Sequence, residues 1–439
     1  MLPDPPPASH KADPRLHVMM FLEYAVKGMW FPLASVFLTE AAAQGGLGFT
    51  AWQKGMIIGT ASAVGAVCSP FIAGQLADRF FNTEKFLAVS LLIAGAIKYY
   101  TASQTTFWSW MILSAAYSIM YMPTVALTNS LAMTHLADSK RQFPGVRVWG
   151  TIGWIVVGWG FPMLWLQTNL RFQWLPPFLV GDKLPDVNAR MLDSLRAAGI
   201  LAAIFAAYCW FALPKTPPSS KDVKTLAFAR AFALMKHPSF TVLMAATFVI
   251  SCVHTMYFIH TGAFLKKCGL EARYVMPAMS LGQFSEIVVL ALLGRFLTHA
   301  GFRTVITLGA ACYAARYLLF AIPQPPVWLV VSAMLFHGFC FACFFAAGFI
   351  YVDRIAPKDV RHSAQTVYTL VMFGLGPAMT GWLINPLFVR LATSESNLES
   401  TTFPRFWAIT AVVSFVAAVA FWCLFRDETD DASVEKAGV

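Results

Sequence analysis

Charge is scarce in this chain. Only 12% of its 439 residues are Asp, Glu, Lys or Arg, against 58% hydrophobic and 15% aromatic, and the mean hydropathy is +0.61. A soluble domain carries about twice that share of charge, so a water-exposed globule is excluded and a membrane protein is expected. Acids are scarcer than bases, 22 Asp and Glu against 32 Lys and Arg, leaving a net charge of +10. In so apolar a chain that excess reports basic cytoplasmic loops rather than nucleic-acid binding. Cysteine is sparse too, eight residues scattered singly through apolar stretches, so no disulfide framework is expected. Cys340 and Cys343 have redox spacing but read as small hydrophobes. No metal-ligand cluster and no nucleophile–base spacing appears, so no metal, no cofactor and no enzymatic activity are expected.

What is present is a succession of long apolar runs. A spanning helix takes about 20 apolar residues. Such runs fall at 17–38, 53–75, 86–104, 107–135, 147–167, 195–213, 239–265, 275–297, 304–322, 327–352, 363–388 and 404–425. The expected fold is therefore all-α, with twelve transmembrane helices. Residues 1–16, with five prolines in Met1 to Arg15, read as a disordered cytoplasmic arm, and the first run comes too late and too long for a cleavable signal. The stretch 214–238 holds Lys215, Lys221, Lys224, Arg230 and Lys236 and is too polar to cross. It divides a six-helix half, 17–213, from a second, 239–425, and residues 426–439 form a tail. With the N-terminus inside, 18 of the 32 basic residues fall on inner segments, 10 on outer ones and 4 within spans. Both termini are thus expected in the cytoplasm, in a multi-pass protein of the inner (plasma) membrane.

Ionisable residues inside a membrane are costly and so are functional candidates. Glu23 and Lys27 stand at i, i+4 in the first run, either as a self-neutralising pair or as part of proton coupling. Lys98 and Arg316 lie toward the outer ends of their runs and read as snorkelling side chains. Arg147, Thr151 and Trp154 share one helical face, where a guanidinium, a hydroxyl and an indole can bond and stack on a polar ring compound. Arg147 could equally anchor a helix end, and Gly150 and Gly153 could serve close packing. Glu286 has no basic residue within a turn, which suits a group that takes up and releases a proton; Gln283 lies one turn earlier on the same side. His254, Tyr257 and Thr261 form another polar face. Tyr121-Met-Pro-Thr124 marks a kink and reads as packing.

Two sets of local sequence carry a family resemblance. Gly74-Gln-Leu-Ala-Asp78-Arg79, echoed by the segment from Gly294 to Gly301, resembles the inter-helix loop of the major facilitator superfamily, whose 6+6 halves rock about a midplane site. Phe143-Pro-Gly-Val-Arg147-Val-Trp-Gly-Thr151-Ile-Gly, Gln283-Phe-Ser-Glu286, Arg316-Tyr-Leu-Leu-Phe-Ala and Arg361-His-Ser-Ala-Gln365 are similar to the nucleoside:proton symporters of that superfamily. The resemblance implies that Arg147, Thr151, Gln283 and Glu286 help form a central nucleoside site with Trp154 as an aromatic wall, and that Asp78 and Arg79 form a conformational lock. It also brings departures. The seventh-span amide pair falls on His254 and Tyr257, or on Thr255 and Phe258. The acid expected in the tenth span falls on Ala342, and Glu23 and Lys27 occupy positions where uncharged residues are usual.

The expected function is proton-coupled import of nucleosides across the inner membrane by alternating access, with Glu286 and Glu23 as proton-coupling groups. The expected substrate-binding residues are Arg147, Thr151, Trp154, His254, Tyr257, Gln283 and Glu286. The expected partners are a nucleoside or similar polar solute, protons and the lipid bilayer, with the protein acting as a monomer. A sugar or other small-metabolite carrier on the same fold is the alternative, motivated by the rearranged seventh and tenth spans. A membrane sensor would need an output module, and the tail after Arg426 is short.

Overall fold

The computed structural model describes residues 12–72, 81–137, 139–174, 178–216, 234–356, 361–393 and 403–427. Helix dominates, as it must where hydrocarbon offers no partner to backbone N–H and C=O groups. Helix α1 (Pro14–Gly28) starts where Asp13 accepts from the Arg15 N–H at 2.8 Å, with Pro14 in the first turn. A break at Met29 and Trp30 leads to α2 (Phe31–Phe37). Reciprocal bonds between Thr50 and Gln53 start α3 (Ala51–Gly55), which runs through a π turn into α4 (Ser62–Phe71). There follow α5 (Thr83–Thr101), α6 (Phe107–His135), α7 (Ser139–Trp165) and α8 (Asp193–Phe211). The C-terminal half comprises α9 (Pro238–Lys267), α10 (Val275–Phe320), α11 (Val327–Ile355), α12 (Ala364–Ala392) and α13 (Phe403–Leu424).

Among the described residues, eight helices are long and apolar enough to cross a membrane. One of these, α10, joins the runs expected at 275–297 and 304–322 as two helices that meet at a kink, where Gly301 leaves helical geometry with a φ of +71° that favours glycine. The stretch between α7 and α8, counted among the outer loops, holds an antiparallel hairpin of β1 (Gln167–Phe172) and β2 (Leu179–Lys183). Asp78 and Arg79, the expected lock, lie outside the described residues, as do Lys221, Lys224 and Arg230 of the central stretch.

The helices meet at glycines. A methyl at Gly153 would stand 2.2 Å from the Phe21 carbonyl oxygen, so α1 and α7 touch backbone to backbone. Gly95 and Gly199 do the same for α5 and α8. Across the halves, Gly59 lies against the Pro377 carbonyl and Gly381 against that of Gly55. The Arg15 guanidinium donates to the Ala212 carbonyl at 3.1 Å and Ser239 to that of Arg426 at 2.8 Å. The face that carries these chain ends is called the terminal face, and the opposite one the distal face. At the distal face Glu40 pairs with Lys266, Asn385 donates to the Ala51 carbonyl at 2.8 Å, and Arg273 donates to the Gly181 carbonyl. All three ties join one half to the other.

The α1–α7 contact supplies a test. Gly153→Val forces those backbones apart, at a cost of about 1–3 kcal/mol, and should lower the thermal unfolding midpoint of the purified protein. Gly158→Ala adds its methyl where nothing lies within 4 Å, and should leave the midpoint unchanged or higher. Equal midpoints for the two variants would contradict the packing account.

Candidate functional site

The α1–α7 contact sets the first part of the site. Because Gly150 has no side chain, the Tyr24 ring of α1 packs against it, and the Arg147 guanidinium lies over that ring with its carbon 3.9 Å from the centre. Trp154, two turns on, rests against Gly28 and Phe31. Thr151 lies between them and is buried. Arg147 keeps part of its side chain exposed and makes no hydrogen bond among the described residues. Its expected face therefore exists, and its platform is a residue that periodicity did not single out, Tyr24.

Glu23 is fully buried, but it does not close an ion pair with Lys27. Its Oε1 accepts from the Thr124 hydroxyl at 2.8 Å, Tyr121 donates to its backbone carbonyl, and its Oε2 has no partner among the described residues. The Tyr-Met-Pro-Thr segment, read as packing, thus holds a buried acid. Lys27 keeps some exposure, with its ammonium 5.1 Å from the centre of the Phe31 ring. A hydroxyl and a ring face replace the self-neutralising pair because one α-helical turn leaves the carboxyl free to reach α6.

Lys98 and Arg316 do not snorkel. They are 1% and 0% exposed. The Lys98 ammonium sits between the rings of Trp30 and Tyr117, 3.6 and 3.9 Å from their centres. The Arg316 guanidinium carbon lies 4.4, 5.2 and 4.8 Å from the ring centres of Tyr257, Tyr313 and Tyr317, and its nitrogens reach the Tyr317 hydroxyl at 2.8 Å and His337 Nδ1 at 3.2 Å. Aromatic rings offer each cation a partner, from other segments for Lys98 and from α9 and its own helix for Arg316, so neither has to reach for water.

From the second half, α10 contributes Gln283 and Glu286, both buried. The Gln283 carbonyl oxygen has no partner, and Glu286 makes no hydrogen bond or ion pair among the described residues. Glu286 is close enough to Arg147 for the two to interact electrostatically, and Tyr24 feels both. His254 lies 2.7 Å from the Tyr313 hydroxyl and stacks on His337 at 5.6 Å. Tyr257 is fully buried, with its hydroxyl on the Met334 sulfur at 3.4 Å, so it belongs to the Arg316 cage. Phe31 of α2 meets Phe258 of α9 at 5.1 Å, bringing the halves together beside Lys27 and Trp154. Among the described residues no group of three or more His, Cys, Asp or Glu could hold a metal ion, and all eight cysteines are free.

A carboxyl and a guanidinium from opposite halves, each lacking a fixed partner, suit a transporter whose halves move. A family model described as nucleoside H+ symporter matches residues 11–430. The chain belongs to that family. The symporter is a transporter and not an enzyme. It is 31% identical to the putative nucleoside transporter YegT of Escherichia coli K12 over 97% of this chain and 96% of that one. It is 25% identical to the xanthosine permease of the same organism, over 97% and 98%. The crystal structure of the nucleoside transporter NupG superposes with a TM-score of 0.77 at 22% identity, over 94% of this chain and 98% of that chain. The symporter thus has a major facilitator fold.

The Glu23 pocket yields a second test. Thr124→Val leaves both carboxyl oxygens buried without a partner, at a cost of about 1–3 kcal/mol, and should lower the unfolding midpoint. In Thr124→Val/Glu23→Leu the orphaned acid is gone, so the midpoint should recover. A double variant less stable than Thr124→Val would contradict the assigned bond.

Proposed function

We propose that the symporter crosses the inner membrane twelve times as a monomer, with both termini cytoplasmic and a six-helix half on each side of the 214–238 stretch. It imports nucleosides driven by the proton gradient, alternating access between the two faces of the membrane. The nucleoside occupies the space between α1 and α7 of one half and α9 and α10 of the other. Glu286 binds the proton and contacts substrate, while Arg147 supplies the balancing charge. Gln283 and Thr151 bond hydroxyls or base edges, Trp154 stacks on the base, and His254 lines the second half. Glu23 is a further proton-coupling group in the first half. Asp78 and Arg79 form the conformational lock.

The observation that carries this reading is the relation of Arg147 and Glu286. They come from opposite halves, interact electrostatically, and have no hydrogen-bond partner among the described residues. A proton arriving at Glu286 removes one side of that interaction, which changes the attraction between the halves and so the balance between their two arrangements. The proton need not be held at a remote site, because the group that takes it also faces substrate.

Uptake of labelled uridine and adenosine by cells lacking their own nucleoside transporters tests the reading. Both should enter above background, and a protonophore should abolish accumulation. Glu286→Gln should lose about tenfold or more of gradient-driven uptake, the equivalent of about 1.4 kcal/mol, and should no longer respond to external pH. If neither nucleoside enters, the substrate assignment is wrong. If Glu286→Gln keeps the native pH dependence, the proton is carried elsewhere.

A further inference from the structure

The interface between the halves carries an imbalance of charge. On its N-terminal side, Lys27 and Arg147 both keep partial exposure, and neither has a hydrogen bond or an ion pair within 4.0 Å among the described residues. Arg147 rests on Tyr24, and Lys27 stands over Phe31. Lys27 also acts electrostatically on His254 of α9, and its neighbour Phe31 touches Phe258 of the same helix, so it faces the opposite half. Glu23, the acid of their own helix pair, is fully buried with its carboxyl on Thr124; it acts electrostatically on Lys27 and Arg147 from behind the surface but hydrogen-bonds neither. Among the described residues, the acid that the second half brings within reach of Arg147 is Glu286. Behind this surface Lys98 and Arg316 add two more cations, each held by aromatic rings with no carboxylate.

Counting the groups that face it, the interface presents two cations and one titratable acid, with Glu23 buried behind them. With Glu286 ionised one positive charge is left over, and with Glu286 protonated two are. A neutral nucleoside would leave that excess in a low-dielectric interior, where like charges repel far more than in water. An anionic cargo lowers it by one charge, to zero with Glu286 ionised and to one with Glu286 protonated. A carboxylate also matches the unoccupied donors of a guanidinium and an ammonium better than a neutral base edge does. The unpartnered Gln283 carbonyl oxygen provides the acceptor that a ribose hydroxyl or base N–H needs.

We infer that the preferred cargo is a nucleoside whose base carries an ionised acidic group, received by Lys27 and Arg147 together. This rests on the nucleoside–proton symport reading and narrows it. Lys27 is then a specificity-determining residue: Arg147 holds any nucleoside, and Lys27 selects the charged ones. Import of such an anion with a proton on Glu286 leaves the surface with a single positive charge, the same as the empty surface with Glu286 ionised.

Calorimetric titration of the purified full-length protein in lipid nanodiscs with four ligands tests this. The ligands are uridine, orotidine, 5-carboxyuridine and orotate. The two carboxylated nucleosides differ from uridine only by the acid, and orotate is orotidine without the ribose. At least one carboxylated nucleoside should bind about tenfold or more tightly than uridine, as expected for one added charge-assisted pair. Lys27→Gln should reduce that ratio to less than about twofold, and Lys27→Arg should preserve it. Because the ratio is read within each variant, a lower active fraction does not mimic the effect. If neither carboxylated nucleoside outbinds uridine, the inference fails and the nucleoside reading stands. If orotate binds as tightly as orotidine, the anionic preference stands and the nucleoside reading fails. If the ratio survives in Lys27→Gln, the role of Lys27 is overturned.

Discussion

A cation inside hydrocarbon must be held by the protein, and here it is aromatic rings that hold it. Arg147 lies on Tyr24, Lys98 between Trp30 and Tyr117, and Arg316 among Tyr257, Tyr313 and Tyr317. A ring face supplies negative potential without a formal charge, and unlike a carboxylate it cannot be lost to protonation. The choice has a consequence for transport. Had each cation been given its own acid, Glu23 and Glu286 would serve as permanent counter-ions. With rings in that role, Glu286 is left without a fixed partner and Glu23 with only one of its oxygens bonded. The groups able to change charge are thus separated from those that merely have to be stabilised.

The rest of the structure is arranged so that the two halves can approach closely and still come apart. Within each half the contacts are intimate and apolar, as where Gly153 meets Phe21 or Gly95 meets Gly199. Between the halves close contacts also occur, at Gly59 with Pro377 and at Gly381 with Gly55, and the distal face adds a few polar ties. Glu40 pairs with Lys266, Arg273 reaches the β1–β2 hairpin at Gly181, and Asn385 spans from His260, at 2.6 Å, to the Ala51 carbonyl. Each such tie is worth little in net terms, since water offers nearly the same hydrogen bonds when the face opens. Close packing joins helices within and across the halves, and the polar ties are the contacts that opening of the distal face would exchange for water.

How far the sequence disclosed this follows from the kind of information each feature needs. Apolar run length reflects the bilayer alone, and α6 occupies the same residues, 107–135, as the run read from composition. The runs at 275–297 and 304–322 are two helices, and Gly301, whose backbone leaves helical geometry, makes the kink that separates them. The face of Arg147, Thr151 and Trp154 was legible from helical period. Its platform was not, because Tyr24 lies on another helix and is brought there by Gly150. The cages of Lys98 and Arg316 draw rings from several segments, so their position near run ends suggested snorkelling. For Glu23 the spacing to Lys27 was a true signal of proximity, but a hydroxyl on α6 outcompeted it.

The departures from the family pattern fit together once the charges are placed. The resemblance puts an acid at Ala342, in the middle of α11, and that residue is fully buried with no polar atom to offer. An acid there would sit in the same half as Arg316. In its place Arg316 has three tyrosines, with His337 at 3.2 Å, and nothing about its cage calls for a carboxylate. The first half departs in the other direction, gaining Glu23 and Lys27 where uncharged residues are usual. Glu23 is absorbed into the interior by Thr124 and Tyr121, while Lys27 stays at the interface. The acid absent from one half and the acid present in the other thus differ in surroundings, because Glu23 lies behind the interface on Thr124. Of these changes, the one that bears directly on that surface is Lys27, which adds a positive charge to it.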